Sequence, residues 1–160
     1  MAGDLSTDLR RHDPPPRHQR LEKRVWLRML SLQGEIFGRL NRALSAACGL
    51  SLAKFDVLAQ LDRYPDGLSL GNLSQNLKVT GGNVSGLVQR LVADGFITRE
   101  MSSTDRRSFV VRMTPEGKAV FDRACLAHQA ELDTCFAAVP AEELDEALRV
   151  LNALSTHVLG

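Results

Sequence analysis

Asp105, Arg106 and Arg107 stand together in "TDRRSFVVRMT", residues 104–114, directly ahead of a run of β-branched and aromatic residues. Two adjacent guanidiniums beside one short carboxylate suit the recognition of a polyanion. An arginine carried on a thin β-loop enters a groove narrow enough to concentrate negative potential, and a neighbouring carboxylate holds the guanidinium in orientation. Asp105 and Arg107 have the spacing for this, one short acid two residues before one long base, whereas Arg106 is placed to touch phosphate or water. By itself "DRR" is also what a solvated charged turn looks like, and exposed ion pairs contribute little. Its neighbours decide between the two.

Upstream, in "TGGNVSGLVQRLV", Val84, Leu87, Val88, Leu91 and Val92 recur at i, i+3, i+4, i+7 and i+8, the stripe of a helix over about 80–93 held to a core by one face. Thr80, Gly82, Asn83, Ser85, Gly86, Gln89 and Arg90 fall on the other face. That face is small and amide-bearing, as close approach to base edges requires. An asparagine or glutamine pairs bidentately with adenine, and an arginine reaches phosphate or guanine, each good base contact being worth about 1–3 kcal/mol. Glycines let the backbone come near phosphates at a helix N-terminus. They do not make a dinucleotide loop, because Asn83 stands two places after Gly81 and no strand precedes it.

These residues need elements to hold them. Residues 21–48 carry Trp26, Met29, Leu30, Phe37, Leu40, Leu44 and Ala47 on one helical face, with Gln33 a polar exception, and Gly49 stops the helix. Ser51 caps a second helix with Phe55, Leu58 and Leu61 on its face, and "YPDG" turns the chain after it. Ser69 caps a short third helix containing Leu70, Leu73 and Leu77; Thr80 opens the fourth, which Gly95 ends. "FITREM" and "SFVVRM" then read as two strands joined by "SSTDRR", a hairpin with the arginines at its tip. Thr114 as N-cap, Pro115 and Glu116 start a fifth helix with Phe121, Cys125, His128, Leu132, Cys135 and Phe136 in its stripe. "PAEE" starts a sixth, with Leu144, Ala147, Leu148, Leu151, Leu154 and Val158. The expected fold is mainly α with a small β-hairpin wing: a winged helix-turn-helix whose second helix fits a major groove.

Composition bounds the rest. The 160 residues, 44% hydrophobic and 24% charged, suffice for one domain over 21–160, preceded by a polar arm over 1–20 that holds Pro14-Pro15-Pro16 and the cations Arg10, Arg11 and Arg17. The net charge of +1 hides a division: six bases against three acids between Lys78 and Arg112, and six acids with no lysine or arginine between Glu131 and Glu146. A partner is therefore sought for the basic middle. Cys48, Cys125 and Cys135 are odd in number and show no C-x-x-C, which disfavours a disulfide framework or a zinc site and suits a reducing compartment. His12, His18, His128 and His157 are scattered and form no H-E-x-x-H, so catalysis is not expected. No signal-peptide core and no run near ~18 apolar residues is present, which points to the cytoplasm, with no membrane contact, no metal and no cofactor.

From Leu50 to about Asp122 the chain resembles the multiple-antibiotic-resistance regulator (MarR) family. "LSLAKFDVLAQL", "LSLGNLSQNLKVTGGNVSGLVQRLVADGFITRE" and "STDRRSFVVRMTPEGKAVFD" carry the resemblance, above all D-R-R, a strand ending in M-T, then P-E-G. It implies a homodimeric transcriptional regulator, usually a repressor. Helices at 21–48 and 116–160 would build the dimer, and the lobe at 50–115 would grip an inverted-repeat DNA operator. By position, Thr80, Gly82, Asn83, Ser85, Gln89 and Arg90 would meet the major groove, and Arg107, oriented by Asp105, with Arg106, the minor groove. Family members often carry a bulkier or basic residue at the place of Gly86, so base reading here leans on Asn83 and Gln89.

The resemblance further implies a small aromatic or phenolic acid, or its thioester, as effector, with Trp26, Met29, Leu30, Phe37 and Phe55 as lining and Arg28 or Arg39 for the anion. Core packing explains the same apolar residues equally well. The alternatives are a thiol-based oxidant sensor, whose reactive cysteine would sit early in the first helix where this chain has none, and a winged-helix module for protein contacts alone.

Overall fold

The computed structural model describes residues 16–77, 81–101 and 109–159. In chain order it contains α1 (Arg17–Cys48), α2 (Leu52–Arg63), β1 (Leu68–Ser69), α3 (Leu70–Leu77), α4 (Gly81–Ala93), β2 (Ile97–Met101), β3 (Phe109–Met113), α5 (Pro115–Phe136) and α6 (Ala141–Leu159). The chain divides into two compact units, residues 1–35 and 36–160.

Helix ends follow local chemistry. The hydroxyls of Ser51, Ser69 and Thr114 accept from the backbone N–H groups of Lys54, Asn72 and Gly117 at 3.2, 3.1 and 2.9 Å, so all three expected N-caps form. Gly95, at φ 78°, closes α4: its N–H reaches the Val92 carbonyl and the Phe96 N–H the Leu91 carbonyl, each at 3.0 Å. A left-handed residue is needed there, and glycine adopts it without steric cost.

The structure departs from the sequence reading in two places. Helix α1 starts at Arg17, so residues 17–20, expected in the flexible arm, are helical. The Pro16 carbonyl accepts from the Arg20 N–H at 3.2 Å, and His18 lies 3.0 Å from Glu22 one turn on. A proline just ahead of the first turn is compatible with helix, and polar residues extend it without burial. The remainder of the arm, including Arg10 and Arg11, lies outside the described residues.

The two strands expected of the hairpin pair as β2 and β3, and β1, unforeseen in the sequence, joins β3 on its other side, in the order β1-β3-β2, all antiparallel. Leu68 and Ser69 pair with Val111 and Val110, a two-residue strand too short to show periodicity. Gly67, at φ 89°, makes the pairing possible: a Cβ there would meet Val110 Cγ1 and the Val111 carbonyl, each at 2.6 Å.

The core lies in the second unit. Leu58 of α2, Leu73 of α3, Val84, Val88 and Leu91 of α4, Ile97 and Val111 of the sheet and Ala124 of α5 bury against Leu44 and Leu50, with no buried polar side chain among the described residues. In contrast α6 buries nothing; Leu144, Leu148, Leu151 and Leu154 line one side of it and all are exposed. In the first unit Leu21, Val25, Trp26, Leu27, Met29, Leu30 and Leu32 of α1 are exposed as well.

Candidate nucleic-acid interface

Helix α4 is anchored by Val84, Val88 and Leu91, all essentially inaccessible. Because these three fix one face, the opposite one is turned to solvent: Gly82, Asn83, Gln89 and Arg90 are exposed, and Ser85 and Gly86 half-buried. The structure thus brings six of the residues singled out in α4 onto one surface. Thr80, Asp105, Arg106 and Arg107 lie outside the described residues.

The surface is concave. An open cleft of about 370 Å³ runs beside α4, lined by Ala53, Gly82, Asn83, Gly86, Leu87 and Arg90. Its width comes from the missing side chains at Gly82 and Gly86, one turn apart on the helix. A Cβ at Gly82 would meet nothing within 4 Å, and one at Gly86 only the Arg90 guanidinium at 3.5 Å. Neither glycine is therefore required by packing, although glycine in a helix interior costs about 1 kcal/mol relative to alanine.

Two ties set the angle of this helix. Lys54 Nζ, near the start of α2, bonds Asp94 Oδ2 at 2.5 Å just past the end of α4, with the lysine side chain only 17% exposed. On the other side the Thr114 N–H donates to the Phe96 carbonyl at 3.0 Å and the Thr114 hydroxyl to the Gly95 carbonyl at 2.7 Å, joining the turn after α4 to the start of α5. Sequence reasoning missed Ala53, Lys54 and Asp94, because their partners are some 30 to 40 residues away.

The residues considered for an effector are placed differently from one another. Trp26, Met29, Leu30 and Phe37 are exposed on α1. Phe55 is buried, its ring stacked between Phe121 at 5.4 Å and His128 at 4.8 Å, centroid to centroid. Arg39 Nε donates to Glu131 Oε1 at 2.6 Å, so an anion arriving there would compete with a carboxylate already in place. Partial burial raises the neighbouring Asp56 carboxyl above the usual carboxylate range, and the charge of His128 pulls it part of the way back.

The three cysteines are free and half-buried. Burial, aided by Asp122 and Asp62, pushes the Cys125 thiol up, which disfavours the thiolate. Among the described residues no group of three histidines, cysteines or acids is gathered to hold a metal ion, and no single helix is long and apolar enough to cross a membrane.

A sequence model of the MarR family matches residues 49–108, the span that contains α2, β1, α3, α4 and β2. The chain is 31% identical over 124 residues to the HTH-type transcriptional repressor YetL of Bacillus subtilis, covering 75% of this chain and 74% of that protein. This chain belongs to the MarR family. It is a MarR-family transcriptional regulator, and α4 stands where the second helix of the expected helix-turn-helix belongs. The crystal structure of a MarR family transcriptional regulator from Silicibacter pomeroyi superposes with a TM-score of 0.80 at 43% identity, over 89% of this chain and 99% of that one. Sco3205 of Streptomyces coelicolor, a MarR family transcriptional regulator crystallised in complex with DNA, shares the fold at a TM-score of 0.80 and 21% identity, over 92% of this chain and 94% of that one.

Proposed function

We propose that this MarR-family regulator is a homodimeric, sequence-specific repressor that binds an inverted-repeat operator in the cytoplasm and releases it when a small aromatic acid or its thioester binds. The observation that carries the reading is the exposed face of α4, where Asn83, Gln89 and Arg90 stand free of the core beside a glycine-lined cleft. Asn83 and Gln89 have the amides to read adenine, Arg90 the guanidinium for phosphate or guanine. Arg107, oriented by Asp105, takes the minor groove, with Arg106 beside it on the backbone. Repression is favoured by the likeness to YetL, named as a repressor.

Two copies are implied by the apolar side of α6, which nothing in the chain's second unit covers. Helices at 21–48 and 116–160 would pair around a two-fold axis, setting the two α4 helices to meet half-sites about 34–36 Å apart. The effector acts only through differential affinity, binding better to a dimer whose α4 helices are wrongly spaced. Trp26, Met29 and Leu30 of the first unit and Phe37 of the second are exposed candidates for its lining, Phe55 is buried in its stack, and Arg39 offers a cation that exchanges Glu131 for the ligand's carboxylate. Oxidant sensing is disfavoured by the raised Cys125 thiol.

The test is selection of bound duplexes from a randomised pool by the purified full-length protein. A recovered inverted repeat supports the reading, and recovery of no sequence from the pool overturns it. Given that duplex, Arg107→Ala is expected to weaken binding and to lower the slope of log K against log salt by about 0.9 per protomer, one phosphate-region charge having been lost. Wild-type affinity and slope in this variant would remove the wing from the interface.

Gly82→Ala and Gly86→Ala should separate stability from function. Neither new methyl meets an obstacle in the free protein, so each is expected to raise stability by up to about 1 kcal/mol in thermal or urea unfolding. Operator affinity should fall nonetheless, because the methyls stand where the DNA comes close; unchanged affinity in both would show that the cleft stays empty in the complex.

A further inference from the structure

The sheet carries two arginines among the described residues with opposite kinds of partner. The register places Ile97, Arg99 and Met101 opposite Met113, Val111 and Phe109 on one face, and Thr98 and Glu100 opposite Arg112 and Val110 on the other. Arg112 Nη1 donates to Glu100 Oε2 at 2.8 Å, so on that face the cation is matched by a carboxylate. Arg99 instead sits over the Phe109 ring, its guanidinium carbon 3.9 Å from the ring centroid. It has no carboxylate partner among the described residues.

The distinction matters physically. A carboxylate partner cancels charge and occupies N–H donors. An aromatic partner does neither: the ring attracts the cation through its face, fixes the plane of the guanidinium and leaves the in-plane N–H fork available. Holding the side chain in advance also reduces the entropy lost when a ligand engages it. Among the described residues Arg99 thus has an aromatic partner and no carboxylate.

The sheet register fixes its place in the fold. Ile97 and Val111 are buried, so their face of the sheet is the one turned to the helices, and β2 packs against α4. Arg99, opposite the buried Val111, lies on that same face, and the next pair out, Met101 and Phe109, is exposed. In chain order Arg99 thus stands between α4 and residues 102–108.

We infer that Arg99, held over the Phe109 ring, clamps a DNA phosphate on the stretch of backbone that runs between the groove occupied by α4 and the groove entered by the wing tip. Phe109 is a positioning residue acting through Arg99. A planar, bidentate donor matches phosphate oxygens, and a contact from the strand wall lies beside the groove and carries register instead of base sequence. The inference rests on the DNA-binding reading above. It also separates Arg99 from Arg112, which contributes no free charge.

The test uses the full-length protein and a fluorescein-labelled duplex carrying the inverted repeat that the wild type recovers from the random pool, titrated over a series of salt concentrations. Arg99→Gln is expected to lower the log K against log salt slope by about 0.9 per protomer and to lose affinity most at low salt, with an unchanged melting temperature. Arg99→Lys should keep the slope. Phe109→Leu should keep the slope and lose about two- to fivefold in affinity per protomer, and Phe109→Tyr, which keeps the ring, should restore it. Wild-type affinity and slope in Arg99→Gln, or weaker binding with an unchanged slope, would overturn the clamp while leaving the DNA-binding reading intact. A Phe109→Leu variant indistinguishable from the wild type would overturn the positioning role. Failure of the wild type to recover any duplex would instead sink the underlying reading.

Discussion

Replacing Leu148 and Leu151 together with glutamate is expected to turn the protein into a monomer and to weaken operator binding about a hundredfold or more. Leu144, Leu148, Leu151 and Leu154 follow a helical spacing along α6, and all four are exposed, Leu148 at 57%. A helix with no buried residue gains little from its own propensity; helices of this kind persist by packing an apolar face. In the homodimer proposed above, two-fold pairing with a second copy would cover that face with itself. Two carboxylates at its centre would each have to lose water without a cation to meet them, and partner and helix would separate. Once they do, the second half-site is no longer presented at high effective concentration, a loss worth about 10²–10⁴ in avidity. Light scattering reads the mass and a duplex titration the affinity. A variant that remains dimeric, or a monomer that binds the full inverted repeat as tightly as the wild type, would remove α6 from the interface and break the link between dimer and affinity.

Gly117→Ala is expected to cost about 2 kcal/mol of stability, against the usual preference of a helix for alanine. A Cβ at Gly117 would overlap the Phe96 carbonyl, backbone to backbone, and crowd Met113 Cγ at 3.0 Å. The carbonyl cannot retreat cheaply, because it accepts the Thr114 N–H at 3.0 Å, and Thr114 in turn caps α5 and bonds Gly95. Relief would have to come from moving the turn after α4 away from the first turn of α5. That turn connects α4 to β2, so on the proposed DNA-binding reading operator affinity should fall along with stability. Urea unfolding at one protomer concentration, with an unchanged m value, measures the first effect; Gly82→Ala, whose methyl meets nothing, is the control. Equal midpoints for Gly117→Ala and the wild type would mean that the close approach relaxes at no cost.

These two effects mark where the sequence could be read and where it could not. The caps at Ser51, Ser69 and Thr114 and the stop at Gly95 involve partners within five residues, so local types and spacing already specify them. The buried side of α4 was equally legible, since a 3.6-residue period must place Val84, Val88 and Leu91 together and leave Asn83, Gln89 and Arg90 opposite. Polar residues 17–20 were read as arm because periodicity sees only apolar faces, and a solvent-exposed extension of a helix has none.

What the sequence by itself determined is therefore the six helices and two hairpin strands, their faces and the family to which they belong, because each depends on interactions within a turn or two of chain. Tertiary structure alone decided the rest: that Leu68–Ser69 adds a strand to Val110–Val111, that Lys54 meets Asp94, that Gly117 lies against Phe96 and that Arg99 rests on Phe109 while Arg112 finds Glu100. Each of these joins residues 10 to about 40 positions apart. Such pairs form only when the packed core has fixed the backbone on both sides, and residue type leaves several partners open until it does.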